Sequence, residues 1–155
     1  MATPDIRLVP KSEDETARWL PVAMAAYEQA RREAGDTPEQ AAEGRRMSEQ
    51  QFFPGGRLVA GHFLFTVVVD DDDAGWLWIG PSNDPSAWWV WDIEVHEAFR
   101  RRGIGRATML LAEDVARSQG ASAIRLNVFA YNHDAIRLYD SLGYETASMY
   151  KQKRL

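Results

Sequence analysis

The chain has 155 residues, 45% of them apolar and 26% charged, proportions that fit one soluble globular domain spanning 1–155 and exclude a disordered chain. Its net charge of −5 argues against a nucleic-acid partner, and no apolar run reaches the roughly 20 residues that span a bilayer, so no membrane partner is expected. The chain has no cysteine, which excludes a disulfide framework or thiolate metal site. The opening residues MATPDIRLVP also lack the basic and apolar regions of a secretion signal, and a cytoplasmic setting is expected.

In chain order, the first 55 residues read as helical. Ser12 and Glu15 have the spacing of a capping box, and apolar residues recur at Trp19, Val22, Ala23, Ala26, Tyr27 and Ala30, the helical period. Pro21 predicts a kink or a late start, and Gly35 a stop. Thr37-Pro38-Glu39 opens a second helix running to about Gln51. Strand patterns follow at 57–69, 76–79 and 88–95, with the acidic run Asp70 to Asp73 as a hairpin tip. The second half alternates: a helix over 104–119 with Ile104, Ala107, Leu111 and Val115 on one face, a strand over 123–129, a helix over 133–142 capped by Asn132, and a closing strand over 144–153. Strands followed by this alternation predict an α/β (mixed α+β) fold, a twisted mixed sheet flanked by helices.

The turn before the third helix concentrates chemistry. Arg100, Arg101, Arg102 and Arg106 surround Gly103, Ile104 and Gly105 in an otherwise acidic chain. Unpaired amides at a helix N-terminus bind phosphate, and glycines let the backbone approach it. The run lacks the G-x-x-x-x-G-K-S/T pattern of a P-loop. A dinucleotide fingerprint is disfavoured too, because Thr108 stands at the third small-residue position and Arg125 where an acid belongs.

Arg100-Arg-Arg-Gly103-Ile-Gly105 resembles motif A of the GNAT superfamily of N-acetyltransferases, Q/R-x-x-G-x-G/A. Asn132-His-Asp-Ala135-Ile-Arg-Leu138-Tyr139-Asp-Ser-Leu-Gly143-Tyr144 resembles its motif B, and the likeness extends over about 88–146. The resemblance implies a GNAT-like acyl-CoA N-acyltransferase fold and acetyl-CoA as co-substrate, with no metal. It places the pyrophosphate on the amides of Arg101 to Ala107. Acetyl-pantetheine then runs beside Ile93 and Val95, in a gap between the fourth and fifth strands, and past Asn132. An amide of Ile93 or Val95 faces the thioester oxygen, and Tyr139 takes the general-acid position.

An alkyl ammonium with a pKa near 10.4 must lose a proton before it attacks, so a base is needed. Relatives place a Glu or His at positions matching Trp89 or Trp91, and tryptophan accepts no proton. Asp92 and Glu94 are the nearest substitutes, Glu94 first. Their alternation with His96 puts all three on one face of an ideal strand, and this spacing also suits a metal. The remaining readings are core packing for Tyr139 and structural hydrogen bonding for the two acids. Most of the five tryptophans between Trp76 and Trp91 read as core, with one or two left to wall an acceptor pocket. The expected activity is acetyl transfer to a primary amine of a small molecule or peptide by direct attack in a ternary complex. A non-catalytic acyl-CoA-binding or sensing module is the alternative, and the last strand offers a route to a homodimer.

Overall fold

The computed structural model describes residues 3–155; Met1 and Ala2, the first residues of the segment read for a secretion signal, lie outside it. Five strands form one sheet in the order β1 (Ile6–Pro10), β2 (Phe63–Val69), β3 (Asp72–Pro81), β4 (Ala87–Val95), β5 (Ala123–Leu126). The first four pair antiparallel, and β5 runs parallel to β4. Helices α1 (Glu13–Glu33) and α2 (Pro38–Phe52) cover one face, while α3 (Ile104–Ser118) and α4 (His133–Ser141) cover the other.

Both N-terminal helices start on reciprocal caps. The Ser12 hydroxyl accepts the Glu15 N–H at 3.1 Å while Glu15 accepts that of Ser12 at 2.8 Å, and Thr37 and Gln40 repeat the exchange. Contrary to expectation, α1 begins at Glu13 and continues through Pro21 as one element. Trp19, Ala23 and Met24, on either side of the proline, are buried against the sheet, and this packing outweighs the hydrogen bond that proline removes.

The expectation of an all-helical first 55 residues is corrected by β1, a five-residue edge strand that pairs only with β2 and ends in Pro10. So short a run, with proline at its end, carries little periodicity. The hairpin tip is Asp70-Asp71, both left-handed (φ 49° and 76°), whereas Asp72 and Asp73 already belong to β3. Residues 57–62 fall outside β2, and β5 stops at Leu126. The strand expected over 144–153 does not form. With only four residues in β5 there is little ladder to extend, and the Lys151–Arg154 stretch offers no apolar face; Arg154 instead donates to the Gly35 carbonyl at 2.6 Å.

The main core lies between the sheet and α3, whose buried face is Ile104, Thr108, Met109, Ala112 and Ala116. Ala107, Leu111 and Val115, expected there, are half-buried on its flank. Thr108 tolerates complete burial because its hydroxyl donates to the Ile104 carbonyl at 2.8 Å. The opposite core is aromatic: Trp19, Phe52, Phe53 and Trp78 with Leu64.

Close approach of β3 to β4 depends on Gly75, where a Cβ would lie 1.9 Å from the Glu94 carbonyl oxygen. Gly75→Ala is therefore expected to destabilise the fold by about 3 kcal/mol through overpacking against immobile backbone, read as a lowered urea midpoint.

Candidate active site

β4 pairs with β3 along most of its length but with β5 only over Ala87–Val90, opposite Ala123–Leu126. The break coincides with a bulge: Ile79 faces Val90 and Trp78 faces Asp92, leaving Trp91 as the extra residue. Beyond it the His96 N–H donates to the Ala74 carbonyl on β3 at 2.8 Å. By alternation, Ile93 and Val95 turn their amides to the opposite edge, which β5 has left. The result is a strand edge beside a gap, with the Val95 amide unclaimed by β5 and the Ile93 amide close enough to the Asp92 carboxylate to favour its charge. Arg100 frames it, donating from Nε to the Val95 carbonyl at 2.9 Å.

The gap leads to the turn before α3. Here Arg101 (φ 60°) and Gly103 (φ 75°) are both left-handed, a conformation costly for arginine. Side chains cap α1, α2 and α4, but the N-terminus of α3 receives none. Its first amides, from Gly103 through Arg106, point out of the helix end. At Gly105 a Cβ would come within 3.3 Å of Leu138, so glycine lets the first turn of α3 settle on α4. Three of the four arginines are engaged within the protein. Arg100 is engaged with Val95 and Glu94, Arg102 lies over the Phe99 ring at 5.4 Å, and Arg106 donates to the Ser141 hydroxyl at 3.0 Å.

Asp92, Glu94 and His96 do share a face, because the bulge precedes them, but each has a different partner. Glu94 accepts from Arg100 at 2.6 Å, His96 Nε2 meets Asp73 at 3.1 Å, and Asp92 Oδ2 accepts from the Trp76 indole at 2.8 Å. Burial pushes the Asp92 carboxyl up to about 6; the Trp76 N–H opposes this shift, Glu94 adds to it, and the Ile93 amide works against it. Tyr139, 9% exposed on α4, lies close enough for the Asp92 charge, together with burial, to raise its pKa. Asp92 lies just past the point where β4 parts from β5, and Tyr139, packed in the α3-side core, is near enough to feel its charge. Asn132 caps α4, its Oδ1 accepting the Ala135 N–H at 3.2 Å.

A family model described as the acetyltransferase (GNAT) family matches residues 22–144. The chain belongs to the GNAT acetyltransferases. It is similar to the N-acetyltransferase YycN of Bacillus subtilis, 28% identical over 157 residues that cover 97% of this chain and 99% of YycN. The crystal structure of YycN superposes with a TM-score of 0.87 at 26% identity, again over 97% and 99% of the two chains. The Escherichia coli ribosomal protein bS18-alanine N-acetyltransferase is 29% identical over 107 residues, 69% of this chain and 61% of that one. An acetyltransferase from Pyrococcus furiosus shares the fold, with a TM-score of 0.68 at 20% identity over 97% of this chain and 100% of that one.

The family's acetyl donor is acetyl-CoA, and the residues of this GNAT domain fit it: an uncapped helix end suits a diphosphate, and a strand edge that no neighbouring strand covers suits the amide-bearing pantetheine arm. Among the described residues no helix is long and apolar enough to cross a membrane, and no group of three or more His, Asp or Glu is placed to hold a metal ion. Sequence alone leaves Trp76 as one of five tryptophans that are mostly core; in the fold its indole donates to the acid across the hairpin, a contact that depends on the β3–β4 register.

Asp92 gives the GNAT domain a pH signature. A carboxyl with a raised folded-state pKa favours folding below its unfolded value and loses that contribution as pH rises through about 6. Asp92→Asn keeps an acceptor for Trp76 and removes the buried charge. It is expected to stabilise the chain by about 3 kcal/mol at pH 8 and roughly half that at pH 5, measured by urea unfolding at both values.

Proposed function

We propose that this acetyltransferase moves the acetyl group of acetyl-CoA to a primary amine by direct attack in a ternary complex, with Asp92 as the base and Tyr139 as the acid. The observation that carries this reading is that Asp92, just past the point where β4 parts from β5, lies within electrostatic reach of the Tyr139 phenol. Asp92 is near its titration point, while Tyr139 is kept protonated by burial and by the Asp92 charge. Glu94, the first choice on spacing, is the weaker candidate because Arg100 already binds it.

In this reading the amides of Arg101 to Arg106, helped by Arg101 and Arg102, hold the diphosphate at the α3 end, whereas the Ala107 amide, expected with them, is already spent on the Gly103 carbonyl at 3.1 Å. The Ile93 and Val95 amides and Asn132 align the pantetheine arm. The acetyl-CoA bound there supplies the activated acyl carbon. Asp92 takes the proton that the incoming ammonium must lose, directly or through water, since only a minute fraction of an amine of pKa near 10.4 is neutral at pH 7. The Val95 amide faces the acetyl oxygen and stabilises the charge that develops on it. Tyr139 donates its phenolic proton to the departing sulfur. The nitrogen's second proton, shed as the adduct collapses, returns to the Tyr139 phenolate, and transfer leaves the amide product, a free thiol and a proton on Asp92 for solvent to remove.

The acceptor is expected to be a small amine or a peptide amine. A panel of such amines, followed by free-thiol release from acetyl-CoA, identifies it. With the best acceptor, Tyr139→Phe is expected to lower kcat about 100-fold or more, the usual scale for a lost general acid, without changing CoA affinity by calorimetry. Turnover by the variant at the wild-type rate excludes Tyr139 as the acid.

A further inference from the structure

We propose that Trp76 is the positioning residue of the reaction: its indole N–H fixes one oxygen of Asp92 and leaves the other directed at the acceptor. The inference rests on the reading of Asp92 as the base. Its own content is that the base acts only while Trp76 holds it.

Geometry carries the proposal. Trp76 sits on β3 opposite Glu94, two pairs along from the Trp78–Asp92 pair and on the same face, and reaches diagonally to Asp92 Oδ2 at 2.8 Å. Its ring is gripped from two sides, edge-on with Trp19 of α1 at 6.0 Å and with His96 at 5.7 Å. His96 is itself anchored on Asp73. The indole therefore has little freedom to swing away from the carboxylate.

The neighbouring tryptophans show that this bond is not a packing by-product. Trp78, directly across from Asp92, donates instead to His62 at 3.0 Å, and the indole N–H groups of Trp19 and Trp91 are buried with no partner. Proximity in this aromatic layer does not ensure an acceptor, yet Trp76 has one.

The chemistry of the donor matters. Among the described residues no cation pairs with Asp92; the nearby Arg100 is bound to Glu94 and the Val95 carbonyl. An arginine bonded to the carboxylate would suppress its basicity, whereas a neutral N–H orients it at a smaller cost in proton affinity. The groups acting on Asp92 are Glu94 on its own strand and Tyr139 from α4, with Trp76 from β3 and the Ile93 amide as donors. From α1 the Trp19 ring backs the indole.

The test compares Trp76→Phe and Asp92→Asn with the wild type in the pH profile of kcat/KM, using an acceptor amine found by thiol release. Losing the N–H removes stabilisation of the charged carboxylate. The acid limb of Trp76→Phe is therefore expected to move up by about one unit, a roughly tenfold loss of rate on that limb. The KM for acetyl-CoA is expected to stay within about twofold, because uniform binding of the donor is untouched. An unmoved limb in Trp76→Phe while Asp92→Asn is inactive overturns the role of Trp76 and leaves the base in place. Full activity in Asp92→Asn overturns the underlying reading and this inference with it. The wild type gives a measurement that needs no variant to fold. The Trp76 indole proton resonance is expected to titrate with the midpoint of Asp92, about 6, and a resonance that stays flat from pH 4.5 to pH 7.5, a window of roughly 1.5 units on either side, overturns the proposal.

Discussion

A strand in a sheet ordinarily spends its hydrogen bonds on two neighbours, and β4 withholds half of them from residue 91 onward. Its bond with β3 continues to the end, while its bond with β5 stops at Val90. Both halves of the site follow from this asymmetry. The edge left open presents the Ile93 and Val95 amides, and the edge kept closed sets the register that puts Trp76 within reach of Asp92. The bulge at Trp91 is where the two behaviours meet. It also leaves Asp92, Glu94 and His96 in uninterrupted alternation.

The α3 side meets the same gap with a different economy of partners. Four arginines look in sequence like a cationic funnel. In the fold most of their charge is directed at the protein itself: Arg100 ties the turn to β4, and Arg106 ties α3 to α4 through Ser141. What the turn leaves open is mostly backbone, an uncapped helix end reached through left-handed Arg101 and Gly103.

Much of this was legible in the residues. Caps and glycine stops marked α2, α3 and α4 closely because they act within four residues, and the two motifs marked the turn and Tyr139. What escaped was whatever depends on partners distant in sequence. β1 is too short to show a period, and its strand character comes from pairing with β2 more than fifty residues later. Residues 144–153 have strand-like composition but no ladder to join. The buried face of α3 was displaced because a hydroxyl that bonds its own helix can be buried like an apolar group. The order of merit between Glu94 and Asp92 turned on Arg100, which lies beyond β4 and returns to claim Glu94.

The shortness of β5 has a dynamic consequence. Four residues hold it to the sheet on one side, and among the described residues no strand holds it on the other. A segment with so few protected amides opens by local fluctuation at a fraction of the free energy of global unfolding. The wall of the gap can thus exchange with solvent and breathe while the β2–β3–β4 meander stays closed. The sheet's weakest ladder is thus the one that borders the open edge of β4.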